Sequence, residues 1–495
     1  MGIGFRVQSL AEGVSAMRAN YRMGSMATTC AVLASSLFSS ATAGAAPDRG
    51  RLNVLLVVVD DLGCRLACYG DPDVRSPNVD RLASRGVRFD RAYCQYPVCN
   101  ASRTSFLTGL RPDSTGVLSN ETPFRDKLPD VVTLPQFFRQ AGYHTEALGK
   151  IFHIGRDTQG KPTLFLEQKS WVENRNFPAT ATGLKGEGRN LTGGKIPAIH
   201  WLSAEGSDED QPDGRIAAEA MRLLEAHRDG PFFLAVGFHK PHDPFNAPKA
   251  YFELYPPDQI RVPQGIEGRL PENRLSIPPN SPLAAMGDAE QRELKRAYLA
   301  GLSFMDAQLG KVLDTLDRLK LWETTAVVFM GDHGYHLGEH HWWNKVTVFE
   351  HCARAPLIVW APGRQGMGKS ARGLVEFIDI YPTLVEVCGL TPPAGLEGKS
   401  MRPILDDPSL PGKPAAYIKV VRGKVEGRSV RSDRWRYTEW DGGQAGSELY
   451  DHDSDPGENQ NLAGDPKLAG IVAEHKALLR AERPSGQAGG KAVAR

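Results

Sequence analysis

The chain has 495 residues, with 59 Lys or Arg against 58 Asp or Glu, so its formal net charge is +1. That balance argues against a nucleic-acid binder relying on bulk positive charge, and 41% hydrophobic with 24% charged residues excludes a disordered chain. At about 150 residues per domain the length accommodates about three domains, or one large domain and a small one.

Residues 1–46 read as an export signal. Arg18 and Arg22 precede a short apolar stretch over 27–38, and the small residues of 41–47 suit cleavage near Ala45 or Ala46. The stretch is too short for a membrane anchor, so the expected location is periplasmic or secreted, with no integral membrane segment. Cys30 leaves with the signal. Cys64, Cys68, Cys94, Cys99, Cys352 and Cys388 remain, and none falls in the paired CxxC spacing of a structural zinc site. Cys64 and Cys68 are open between bonded and free.

The almost unbroken apolar run 53–59 predicts a strand buried on both faces and ends in Asp60-Asp61. Ser76-Pro77 opens a helix that Gly86 stops. A helix over 133–140 and a strand over 144–148 follow, the strand ending in Gly149-Lys150. Residues 160–210 and 256–288 are polar and rich in Gly and Pro, and are expected to be long loops over the core. Between them lie a helix at 215–228 and a strand at 231–236 that runs into His239. A long helix at 289–320 is expected to show its charges to solvent. A strand at 324–330 ends in Gly331-Asp332-His333, and a shorter one covers 356–360. After about 412 the pattern changes to antiparallel strands at 416–421 and 429–439, with another beginning at Glu448 and a helix near 466–482.

Helices alternating with apolar strands predict an α/β fold with a large mixed, mostly parallel sheet flanked by helices, followed by a small α+β domain with an antiparallel sheet. The expected division is a catalytic domain over 47–412 and a C-terminal subdomain over 413–495. Ligands of such sheets bind beyond the carboxyl ends of the strands. Asp60-Asp61, Lys150, His239 and Asp332-His333 all stand just past such ends.

Adjacent Asp60 and Asp61 repel one another unless a cation sits between them, although a helix cap with a solvated neighbour is an equal alternative. Two acidic sites after two parallel strands favour a shared ion. Carboxylate oxygens suit Ca²⁺ or Mg²⁺, whereas a histidine ligand alone suggests zinc. Cys99 lies at the mouth of an expected helix, where free N–H groups favour an anion and Arg103 adds a fixed positive charge; a buried structural cysteine is the plainer alternative.

The segment Cys99-Asn-Ala-Ser-Arg103-Thr-Ser-Phe-Leu-Thr-Gly109 is similar to the signature C-x-(P/A)-S-R-x-x-x-L-T-G of the sulfatase family, within the alkaline-phosphatase-like superfamily. The resemblance extends from Asn53 to about Leu462. Gly149-Lys150-Ile-Phe-His153, Gly237-Phe-His239-Lys-Pro-His242 and Gly331-Asp332-His333-Gly-Tyr-His-Leu-Gly-Glu-His340 look most like the iduronate-2-sulfatase branch. The resemblance implies a sulfuric ester hydrolase of sulfated saccharides, with Cys99 converted to formylglycine by a dedicated maturation enzyme; the N-terminal signal adds export. It implies that Asp60, Asp61, Asp332 and His333, with the converted Cys99, bind Ca²⁺. Arg103 would hold the formylglycine hydrate, Lys150 would bridge it to sulfate, and His153 would be the base that collapses the intermediate. His239 and Lys345 would contact the sulfate and leaving oxygen, His239 as a candidate proton donor. The hydrate logic is simple: one hydroxyl attacks sulfur, and the second allows sulfate to be expelled and the aldehyde restored.

Two rivals stay open. One is a formylglycine-dependent phosphodiesterase or phosphonate hydrolase on the same fold; the other is an inactive homologue that binds sulfated glycans. His340, His341, Trp342 and Trp343 divide evenly between lining a sugar pocket and packing a loop. His242 and His336 are placed by sequence to contact substrate, and His351-Cys352 reads as core. Asn100-Ala-Ser is a formal glycosylation sequon on which no glycan is expected.

Overall fold

The computed structural model describes residues 50–157, 159–279 and 281–482. The expected export signal and Cys30 lie outside the described residues. The main-sheet elements, in chain order, are β1 (Asn53–Val59), α1 (Pro77–Arg85), β2 (Val87–Phe89), α2 (Cys99–Thr108), α3 (Leu134–Gln140), β3 (His144–Gly149), β4 (Glu173–Arg175), α4 (Pro212–Ala226), β5 (Phe232–Phe238), α5 (Asp288–Leu319), β6 (Thr325–Gly331), β7 (Leu357–Trp360) and β8 (Ser370–Ala371). Their strand order is β8-β2-β7-β6-β1-β5-β3-β4. β6, β1, β5, β3 and β4 are parallel, and β7 joins β6 antiparallel.

The central strand explains the layering. Leu55, Val57 and Val59 pack with α1, α4 and α5, while Val54, Leu56 and Val58 pack with α2, α3 and the helix Ile380–Val387. Alternate side chains of an extended strand point to opposite faces, so an apolar run with no polar member requires cover on both sides.

A four-stranded antiparallel sheet follows, formed by β9 (Ala416–Arg422), β10 (Val425–Arg431), β11 (Trp435–Trp440) and β12 (Ser447–Asp451), in that order. The helix α6 (Ala469–Ala481) covers Val430, Tyr437 and Leu449 on one face, whereas Ile418, Val420 and Trp440 pack with Val98 and Ala101 at the start of α2.

Three expectations need correction. The stretch 160–210 is not all loop: β4 extends the main sheet, and Gly186–Asn190, His200–Ala204 and Phe245–Pro248 form a separate three-stranded sheet. Gly186–Asn190 is mostly solvent-exposed, so its pairing left no apolar alternation to read. Residues 429–439 are not one strand, because a turn at 432–434 divides β10 from β11. Finally, not every charge of α5 is solvated. Buried Asp306 accepts hydrogen bonds from the backbone N–H groups of Asn78 and Val79, at 3.1 and 2.8 Å, and so caps α1. Among the described residues all six cysteines are free thiols.

Candidate active site

Register brings the strand ends to one edge. Val59 pairs with Phe238 and Gly331, and Gly237 pairs with Gly149. Asp60-Asp61, Lys150, His239 and Asp332-His333 therefore emerge side by side. Close approach requires glycine here: a Cβ on Gly149, whose φ is 67°, would fall 2.1 Å from the Gly237 carbonyl oxygen. α2 then delivers Cys99 and Arg103, one helical turn apart, onto the same edge.

Cys99 Sγ lies 3.1 Å from Lys345 Nζ, 3.4 Å from His333 Nε2 and 3.7 Å from Asp61 Oδ1. Lys345 Nζ also donates to Asp61, and Lys150 Nζ donates to Asp60 Oδ2 at 2.6 Å. The buried Arg103 guanidinium bridges Asp332 Oδ2 at 2.9 Å and Asp60 Oδ1 at 3.1 Å. His333 Nδ1 is 2.9 Å from the Gly334 carbonyl oxygen. Burial opposes charging of His333, but Asp332 and Cys99 push it up to about 9, so Nε2 carries a proton towards Cys99 here, and loss of that proton would free Nε2 as the ligand-side nitrogen. His153 lies beside Cys99, and its buried Nδ1 has no hydrogen-bond partner. His239 is anchored through its backbone N–H, which donates to Asp213 Oδ1 at 2.9 Å.

The charges tune one another. Burial opposes ionisation of Cys99, but Lys150, Lys345 and His333 outweigh it and hold the thiol well below its ordinary value. Burial pushes the Asp332 carboxyl up to about 6 against the pull of His333 and Arg103. Burial also lowers the His239 imidazole, to about 3, and lowers His153.

An ion site fits these residues. Donor atoms of Asp60, Asp61, Cys99 and His242 lie within 4.8 Å of one another, and so do those of Cys99, Asp332 and His333. Asp61 Oδ2 is buried without a hydrogen-bond partner, as expected of an oxygen reserved for a cation. Oxygen-rich donors of this kind suit Ca²⁺ or Mg²⁺.

All ten residues expected at the site converge on this edge, and tertiary structure adds others. His242 Nε2 stands 3.8 Å from both Asp60 and Asp61. Phe165 presents its ring edge-on to His239 and His153, with centroid separations of 5.3 and 6.4 Å. Tyr298 Oη donates to the Asp61 carbonyl at 2.8 Å. Phe165 and Tyr298 lie in no motif and carry no local signal. For His340, Trp342 and Trp343 the structure shows loop and core packing, whereas His341 stays partly exposed. His340 stacks on Phe349, Trp343 is in the core, and buried Trp342 donates from Nε1 to the Lys345 carbonyl at 2.8 Å. His336 is buried against Thr347 Oγ1 at 2.8 Å and faces no open site. Asn100 is buried too, its amide donating to the carbonyls of Ser119 and Thr122, each at 2.8 Å.

Comparison with known proteins identifies the family. Residues 52–390 match the sulfatase family model, and residues 338–484 match that of the N-sulphoglucosamine sulphohydrolase C-terminal region. The chain is 32% identical to iduronate 2-sulfatase of Homo sapiens, over 89% of this chain and 95% of that protein. It is also 32% identical to a sulfatase of Formosa agariphila, over 86% of each. Among solved structures, a phosphonate monoester hydrolase of Agrobacterium radiobacter shares the fold, with a TM-score of 0.72 and 22% identity over 87% of this chain and 96% of that one. With its signature cysteine seated among lysines, histidines and carboxylates at the strand ends, the chain belongs to the sulfatase family and is a sulfuric ester hydrolase.

Proposed function

We propose that the chain is an exported sulfatase that hydrolyses sulfate esters of sulfated saccharides in the manner of iduronate 2-sulfatase. Cys99 is its nucleophile position, converted to formylglycine by a maturation enzyme, and 413–495 is its C-terminal subdomain. The observation that carries this reading is Cys99 Sγ framed by Lys345, His333 and Asp61 at the meeting of the strand ends.

Asp60, Asp61, Asp332 and His333 would hold Ca²⁺, which as a Lewis acid would lower the pKa of an oxygen bound beside it. Formylglycine hydrate would supply two hydroxyls on one carbon, one for attack and one for release. Lys150, Lys345 and Arg103 would surround a bound sulfate group with three positive charges, so charge growing on its oxygens would meet preorganised donors. His153, its basicity lowered by burial, is neutral near pH 7 and able to accept a proton. His239 is likewise neutral at rest; an arriving sulfate anion favours its protonated form and so its role as donor to the leaving oxygen.

The first test is the mass of the Cys99 peptide in protein from its native host. Loss of the thiol in favour of an aldehyde or its hydrate supports the proposal, and an unmodified thiol in folded, exported protein overturns it. The second measures turnover of a 2-O-sulfated uronide against a phosphonate monoester. The proposal requires higher kcat/KM on the sulfate ester; the reverse order would assign the site to phosphonates.

A further inference from the structure

The opposite end of the same sheet holds a second cluster of metal-binding side chains. His144 and Glu146 alternate on β3 and so share one face. His227 follows the last residue of α4 and meets them there. His144 Nε2 is 2.7 Å and His227 Nε2 3.2 Å from the same oxygen, Glu146 Oε1. The two imidazoles stack at 4.0 Å, and all three donor atoms lie within 4.8 Å of one another. Glu146 is buried, whereas both histidines are partly open to solvent.

The local charge favours a cation. Arg175 contacts Glu146 Oε2 at 2.7 Å, but it is shared with Glu173 and Glu219, and Arg222 pairs with Glu219 at 2.7 Å. Three carboxylates against two guanidiniums leave one negative charge, at the negative end of the α4 dipole. Two imidazole nitrogens with one carboxylate form a borderline donor set that prefers a transition ion to Ca²⁺.

We propose that His144, Glu146 and His227 form a second metal site, which takes Zn²⁺ through three protein donors and leaves its fourth position to solvent. The ion ties the start of β3 to the end of α4. The far ends of these two elements serve the active site: β3 runs into Lys150, about 20 Å away at about 3.3 Å per residue, and α4 carries Asp213 in its first turn, under His239. The zinc is therefore a brace and takes no part in the reaction.

The full chain, stripped of metal and then saturated with Ca²⁺ to fill oxygen-rich sites, is titrated with Zn²⁺. Wild type is expected to bind one more zinc than H144Q/H227Q, as counted by native mass spectrometry. Either single variant is expected to lose at least about tenfold in affinity, and X-ray absorption of the wild-type complex is expected to show two imidazole ligands. Equal stoichiometry and affinity in wild type and double variant would overturn the proposal. Should the double variant fail to fold, E146Q replaces it, since it keeps the size and a hydrogen-bond acceptor for the histidines; undiminished zinc binding in E146Q also overturns the proposal.

Discussion

Two arginines of this protein are buried between pairs of carboxylates, and their surroundings differ in one respect. Arg103 is 1% exposed and bridges Asp60 and Asp332; Arg436 is fully buried and bridges Glu350 and Glu458, its contact to Glu350 Oε2 at 2.6 Å. Around Arg436 every carboxylate oxygen is engaged. Tyr93 Oη donates to Glu350 Oε1 at 3.0 Å, the Glu350 N–H donates to Glu458 Oε2 at 2.7 Å, and His452 meets Glu458 Oε1 at 2.8 Å. Around Arg103 the neighbouring Asp61 keeps one buried oxygen without a partner. The network around Arg436 joins β11 to the segments after β6 and β12 and leaves none of its carboxylate oxygens without a partner. An open one retains capacity for a ligand, which is how chemistry is distinguished from support when both use the same side chains.

Replacing each arginine with methionine breaks that parallel most forcefully. Either change strands two buried carboxylates and is expected to cost about 3–5 kcal/mol by denaturant unfolding. Only Arg103→Met is also expected to lower kcat of the folded fraction, by about 10²–10³-fold. An equal kcat loss in Arg436→Met would erase the distinction.

The response to pH sharpens it. Burial opposes ionisation of Glu458, but Arg436 and His452 hold it down at about 2 against 4.5 unperturbed. A depressed carboxyl stabilises the fold above its unfolded value, so this contribution, about 3 kcal/mol, is present above pH 4.5 and is lost as pH falls towards about 2. Asp332 is displaced the other way, from 3.8 to about 6. Its contribution is present below pH 3.8 and is lost as pH rises through about 6. Unfolding free energies of Glu458→Gln and Asp332→Asn in metal-free protein should therefore depart from wild type on opposite slopes.

The smallest effect is expected at Trp342, which braces Lys345. Trp342→Phe removes one buried hydrogen bond. It should cost about 1 kcal/mol and reduce kcat a few-fold through displacement of Lys345, with KM for the sulfate ester rising in parallel.

The core strands and the strand-end residues of the candidate site were legible in sequence for one shared reason, whereas His153 and Lys345 entered only through the family resemblance. Continuous apolar runs such as 54–59 mark strands buried on both faces, and the polar residues that end them stand where such sheets bind ligands. The α2 motif supplied Cys99 and Arg103. What remained hidden was tertiary or carried by backbone alone. The exposed pairing of Gly186–Asn190 has no side-chain period, and the break at 432–434 interrupts an aromatic alternation that continues on both sides. Phe165 reaches His239 across the fold, and Asp306 lies among the polar residues of α5 but points inward to cap α1.

Every residue of Cys99–Thr108 is buried, with the C-terminal sheet packed on its first turn and Asn100 pinned to the segment around Ser119. Any enzyme that is to alter Cys99 must therefore meet the chain before this helix closes. Under the proposed conversion of Cys99, the chemical competence of the molecule would be decided during its biogenesis, and a copy that folded too early would have no later opportunity for repair.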